Sequence, residues 1–152
     1  MNSRTPARVL PFTDENLRAA LPAPRKSMDQ CSVCRAIGGR VSKMEKGGEV
    51  TGSLPDAIGS LREFMRLGEN VATNWLEICT ACGAFYYAER SYEYLVGGSE
   101  DYQCYSVITQ DGILELPEVS WARKPDAELH AFEDGTWRIV VEPAKNKPQR
   151  RS

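Results

Sequence analysis

The residues whose types and spacing could do chemistry are two Cys-x-x-Cys pairs, Cys31-Ser32-Val33-Cys34 and Cys79-Thr80-Ala81-Cys82. Together they supply four thiolates, the number that fills a tetrahedral structural zinc site at about 2.3 Å per bond and leaves no position for water. One structural Zn2+ held by Cys31, Cys34, Cys79 and Cys82 is therefore the expectation. A Cys-x-x-Cys turn brings both sulfurs to one ion, while backbone N–H groups in the turn donate to the sulfurs and offset their charge. Gly83, directly after the second pair, lets the chain leave such a turn without a side-chain clash.

Two other chemistries compete for these cysteines. A catalytic zinc keeps three protein ligands, an open position and a nearby acid or base, whereas the two pairs fill all four positions. A redox Cys-x-x-Cys starts a helix after a strand, and neither pair here is expected to open a helical pattern. Elsewhere, Cys104 is the only unpaired thiol and His130 the only histidine. A lone cysteine is more often a small buried hydrophobe than a nucleophile, and no carboxylate spacing marks an acid/base pair. The chain is read as not an enzyme.

The elements that must position the cysteines follow from pattern. Residues 1–12 lack a period and read as a flexible end in which Val9, Leu10 and Phe12 could dock. Thr13 is placed to cap a helix over 14–21, with Asp14 and Glu15 in its first turn and a Phe12/Leu17 staple. Pro22 to Ser27 forms a stiff basic connector into the first pair. Lys46-Gly47-Gly48-Glu49 reads as a hairpin tip between short strands. Leu54, Ala57, Ile58, Leu61, Phe64 and Met65 fall at helical spacing after Ser53, and Gly68 would cap that helix. Trp75 to Ile78 is a strand into the second pair, and Phe85 to Val96 gives one or two strands out of it. Gly97-Gly98-Ser99 predicts a turn into a helix over about 100–107. Ile113 to Leu116 reads as a strand after the turn Asp111-Gly112, and Leu129 to Phe132 forms a hairpin with Trp137 to Val141. The basic segment 144–152 reads as a disordered tail.

The sum is an α+β fold, mainly an antiparallel sheet with two or three helices, in a single zinc-stabilised domain over 13–143. With its paired cysteine knuckles the chain resembles the zinc-ribbon group, in which a strand excursion separates two knuckles. Its departure is spacing: 44 residues lie between the pairs, against about 15–20 in the common pattern, so the excursion must hold a hairpin and the long helix. Cys79 through Asp101 also resembles small bacterial zinc-ribbon-like proteins, some of them immunity or accessory partners of toxins. That resemblance implies the four zinc ligands and nothing further.

At 152 residues with 41% hydrophobic content, the chain can bury one core. No apolar run approaches the roughly 20 residues that cross a bilayer, which predicts a cytoplasmic protein. Charge is uneven: residues 1–50 carry nine basic against five acidic side chains, 51–140 six against fifteen, and 141–152 four against one. An acidic middle is ill suited to coating a phosphate backbone, and the carboxylates among the tyrosines argue against a base-stacking surface. The leading expectation is a protein-binding module whose acidic residues Glu89, Glu93, Glu100 and Asp101 meet a basic partner, in its sharpest form a toxin or nuclease neutralised by an immunity-type inhibitor. The alternatives are a zinc-ribbon nucleic-acid or transcription-associated protein using the basic ends, and a thiol redox enzyme.

Overall fold

The computed structural model of the protein describes residues 5–67, 74–95 and 98–141. The Gly68 cap, the Val96 and Gly97 positions and the basic tail 144–152 lie outside the described residues. In chain order the first elements are β1 (Arg8–Pro11), α1 (Asp14–Ala20), a 3-10 turn at Met28–Gln30 and α2 (Ser32–Ile37). Next come β2 (Arg40–Lys46), β3 (Glu49–Gly52), a 3-10 turn at Asp56–Ser60, β4 (Leu61–Arg66) and β5 (Asn74–Cys79). The long strands β6 (Phe85–Leu95) and β7 (Gly98–Ile108) follow, then α3 (Gln110–Leu114), α4 (Pro117–Trp121), β8 (Glu128–Ala131) and β9 (Trp137–Val140). The fold is α+β, with nine strands and four short α-helices among the described residues.

The described residues divide into two compact units. The first, 23–63 with 74–109, holds all five cysteines. Its strands run in the order β5-β6-β7-β2-β3, every neighbour antiparallel. The hairpin β6–β7 pairs from Phe85↔Ile108 at its root to Leu95↔Gly98 at its tip. Its root is core, with Phe85, Tyr86 and Ala88 buried, and its outer half from Arg90 to Tyr94 is exposed. Gly47 and Gly48 take the positive φ values that close the β2–β3 hairpin, as their glycine-glycine sequence predicts.

The second unit comprises 5–22, 64–67 and 110–141. Its strand order is β1-β8-β9-β4, antiparallel except for β4 with β9. Leu17, Ile113, Val119, Leu129 and Ile139 are fully buried there. Thr13 caps α1 as expected, its hydroxyl accepting from Asn16 N–H at 3.0 Å. The N-terminal segment is ordered further than its sequence suggests: Arg8–Pro11 pair residue by residue with β8.

Three expected elements are corrected. The helix over 54–65 is instead a 3-10 turn followed by strand β4. Phe64 and Met65 are adjacent and both buried, so both faces are covered at that point of the strand, and the alternation that marks a half-exposed strand is broken there. The helix over 100–107 is strand β7, whose backbone is paired on both sides by β6 and β2, and that pairing overrides the local capping signal of Ser99. The strand at 113–116 is the end of α3 and the approach to α4, with Pro117 at the first position of α4 where its missing N–H costs nothing. Ile113, Leu116, Val119 and Ala122 are all buried, at a three-residue spacing that fits helical turns.

Candidate metal centre

The first cysteine pair is held by α2. Cys31 stands at its N-cap position, its carbonyl accepting from Arg35 N–H at 2.9 Å, while Gly38 ends the helix with its N–H on Cys34 O at 2.8 Å. The first pair therefore does open a helix, against expectation. What is missing from the redox arrangement is access. Reactive thiols sit in partly exposed sites, and all four paired cysteines are 2% exposed or less.

The second pair lies on the tight turn that joins β5 to β6. Gly83 N–H donates to Cys79 O at 2.9 Å and Cys79 N–H to Ala84 O at 2.8 Å, closing the knuckle on itself. Gly83 has φ +87, and a Cβ there would stand 3.3 Å from Pro24 Cα. The positive φ strains any other residue, and the contact would press Pro24 back by a few tenths of an ångström. Gly83→Ala is expected to cost about 1–3 kcal/mol of stability, read from denaturant melts of the metal-loaded protein; a wild-type midpoint would contradict this reading of the turn.

Residues distant in sequence brace the knuckle. Arg25 grips it twice, its N–H on Cys82 O at 2.7 Å and its guanidinium on Thr80 O at 2.6 Å. Thr80 in turn donates its N–H and its hydroxyl to Ser60 O, at 3.1 and 2.9 Å. Ile37, Leu61, Ala84 and Tyr86 are buried with the sulfurs, and Met28, Val33, Val41, Ala57, Ile58 and Tyr105 pack around them. Water is thereby kept from the cluster.

These supports bring the four sulfurs within 4.8 Å of one another, with Cys31 Sγ to Cys79 Sγ at 3.8 Å and Cys34 Sγ to Cys82 Sγ at 3.4 Å. A tetrahedron with bonds of about 2.3 Å to sulfur has edges near 3.8 Å, so the donor set fits one ion. Backbone donors aim at the sulfurs as expected. The N–H of Cys34 holds the Cys31 thiol down to about 7, helped by the neighbouring thiols and opposed by burial. Burial pushes the Cys34 and Cys82 thiols up, opposed at Cys34 by the Tyr86 hydroxyl and at Cys82 by the Ala84 N–H. Burial thus opposes the charged form at Cys34 and Cys82; a bound dication reverses that balance and deprotonates its ligands. The buried Tyr86 hydroxyl, which has no hydrogen-bond partner, gives a second sign of fit: it faces the sulfurs, Cys34 before Cys79 and Cys82.

Other residues singled out from sequence are placed as follows. Glu89, Glu93 and Glu100 lie on one face of the β6–β7 hairpin, with Glu93 directly opposite Glu100 and Glu100 opposite Lys46. Asp101 lies on the other face and is bound by Arg90 at 3.0 Å. The four therefore do not form one patch. Cys104 is buried in β7 with its sulfur 3.7 Å from Ser106 Oγ, and His130 Nε2 is 2.9 Å from Glu128 Oε1. Arg25, Ser60 and Tyr86 went unrecognised in the sequence. Tyr86 carries a faint signal, alternating with Ala84 and Ala88 on the strand leaving the knuckle; Arg25 and Ser60 carry none, since only the fold brings them to it.

Among the described residues no helix is long and apolar enough to cross a membrane. In comparisons with known proteins, no family model matches the chain, and no curated protein or solved structure matches it significantly, so the zinc-ribbon resemblance rests on the cysteines alone.

Proposed function

We propose that the chain is a non-enzymatic module, stabilised by one Zn2+ on Cys31, Cys34, Cys79 and Cys82, that acts by binding another protein. The observation that carries the zinc assignment is the closed cluster of four buried sulfurs. All-thiolate, four-coordinate ligation suits a structural zinc and leaves no position for substrate. When bound, the ion contributes Lewis acidity only to its own ligands, keeping them as thiolates. The chain's residues do the rest: Arg25, Thr80 and Ser60 hold the second knuckle, α2 holds the first, and the apolar wall excludes water.

The protein-binding part is supported by the outer half of the β6–β7 hairpin. Tyr92 and Tyr94 are 60% and 86% exposed on one face, and Val50, on the same face, is also exposed. Exposed tyrosines supply large contact area at little conformational cost. The other face carries Glu89, Glu93 and Glu100; Glu93 and Glu100 stand directly across the strand pair with Lys46 on the far side of Glu100, and a basic partner adds counter-charge to this acidic face. The partner chemistry is thus a basic protein surface, of which a nuclease-type toxin is the narrowest form. A nucleic acid suits this arm poorly, because Glu45 and Asp101 share the face of Tyr92 and Tyr94.

The test compares the zinc-loaded chain with a Glu89→Gln/Glu93→Gln/Glu100→Gln variant in capture from the source cell, with labelled DNA and RNA titrated at low salt. The proposal expects a basic protein retained by the wild type and lost from the variant, with no nucleic-acid binding. Equal capture by both, or tight binding of nucleic acid that falls steeply with salt, contradicts it.

A further inference from the structure

Among the buried polar atoms at the cysteine cluster, one stands out. Tyr86 is 0% exposed and its hydroxyl has no hydrogen-bond partner of full geometry. A buried hydroxyl left without a partner is destabilising, and Phe in its place would fill nearly the same volume without that cost. The hydroxyl belongs to the apolar cluster that surrounds the four sulfurs, and the thiol it interacts with most is that of Cys34.

The distribution of donors around the cluster gives the hydroxyl a purpose. Cys31 Sγ is served by the N–H of Cys34 and Cys82 Sγ by the N–H of Ala84. The polar group set against Cys34 Sγ is not a backbone amide but the unpartnered Tyr86 hydroxyl, buried in the same cluster. A neutral thiol is a weak acceptor, so the hydroxyl stays poorly satisfied beside it. A metal-bound thiolate is a charged acceptor, and hydrogen bonds to charged partners are about twice as strong.

Resting on the zinc reading above, we propose that the Tyr86 hydroxyl donates a hydrogen bond to the metal-bound Cys34 sulfur and is the side chain that tunes this site. Tyr86 then favours the loaded state twice. Its hydroxyl is a liability while Cys34 is a thiol, and it becomes a charge-assisted donor once the ion has made Cys34 a thiolate. Outer groups of this kind change metal affinity by about 10–100-fold.

The experiment loads the full chain and its Tyr86→Phe variant with Co2+ as a spectroscopic stand-in, then measures zinc affinity by competition with a chelator. The variant is expected to keep tetrahedral cobalt bands, which show that its site is folded. Its sulfur-to-cobalt charge-transfer bands move to lower energy, because Cys34 becomes a stronger electron donor, and its zinc affinity falls about 10-fold or more. In the unmutated chain loaded with a spin-½ cadmium isotope, the Tyr86 hydroxyl proton is expected to exchange slowly and to show scalar coupling to the metal. Unchanged charge-transfer bands and affinity in the variant, or an uncoupled hydroxyl proton in the wild type, would overturn the hydrogen bond while leaving the metal site standing. A wild-type chain that takes up no Co2+ would overturn the zinc reading and this proposal with it.

Discussion

Cys82→Ser is expected to abolish stoichiometric metal binding and to unfold the unit built from residues 23–63 and 74–109. Cys82 is fully buried, its sulfur is 3.4 Å from that of Cys34, and its carbonyl is the acceptor for Arg25 N–H. A serine keeps the backbone contacts and removes one of four sulfurs, so the loss falls on the metal. Structural zinc binding in small domains has an apparent free energy of about 10–16 kcal/mol, and that free energy is folding free energy. Losing a large part of it is comparable with the roughly 5–15 kcal/mol by which a whole domain is stable. Cys104→Ala is the matched control. Cys104 is equally buried but lies outside the cluster, so its variant should keep one metal per chain with only the modest cost of a small cavity. Elemental analysis and far-ultraviolet circular dichroism read both variants.

Ile139→Ala carries the next largest expected effect, in the unit that holds no cysteine. Ile139 is 0% exposed in β9, opposite Leu129 of β8, which is buried as completely. β9 is flanked on both sides, by β8 and by β4, so the strand has little freedom to collapse into the space left behind. Truncating a buried isoleucine costs about 2–5 kcal/mol, which for a chain of this size lowers Tm by roughly 5–15 °C. Metal content of the folded protein should stay unchanged, because none of the four sulfurs belongs to this unit. The exposed Val9→Ala offers the contrast, expected within about 0.5 kcal/mol of wild type. A small effect at Ile139 would mean that this core is not packed as described.

How much of this was legible in the sequence depends on how local each signal is. The two cysteine pairs announce themselves because their chemistry lies in a three-residue spacing. Thr13, with its acidic first turn, and the Gly47-Gly48 tip are equally local, and all three appear where they were expected. The α+β class also follows from local pattern. The failures share a different cause. Leu61, Phe64 and Met65 fit a helical wheel, yet they form a strand in which neighbours Phe64 and Met65 are both buried while Arg62 is exposed, so the two-residue alternation that would mark a strand is broken. Ser99 has a capping residue's chemistry, but β7 is claimed by partners on both sides. Ile113 and Leu116 are too few to show a period alone, and only Val119 and Ala122 complete the buried stripe. At the site, Arg25 lies 55 residues from the carbonyl it grips, and Tyr86 is buried with cysteines of both pairs. Such partners are chosen by topology, and nothing in their immediate neighbours names them.

The most direct test of the account is metal content measured by elemental analysis on protein purified without added metal or a metal-binding tag, with free thiols counted after chelation. The account predicts one zinc per chain, five thiols once it is removed, and loss of ordered structure on its removal. No zinc, together with two disulfides that reduce reversibly, would contradict it and make thiol redox chemistry the reading of the two cysteine pairs.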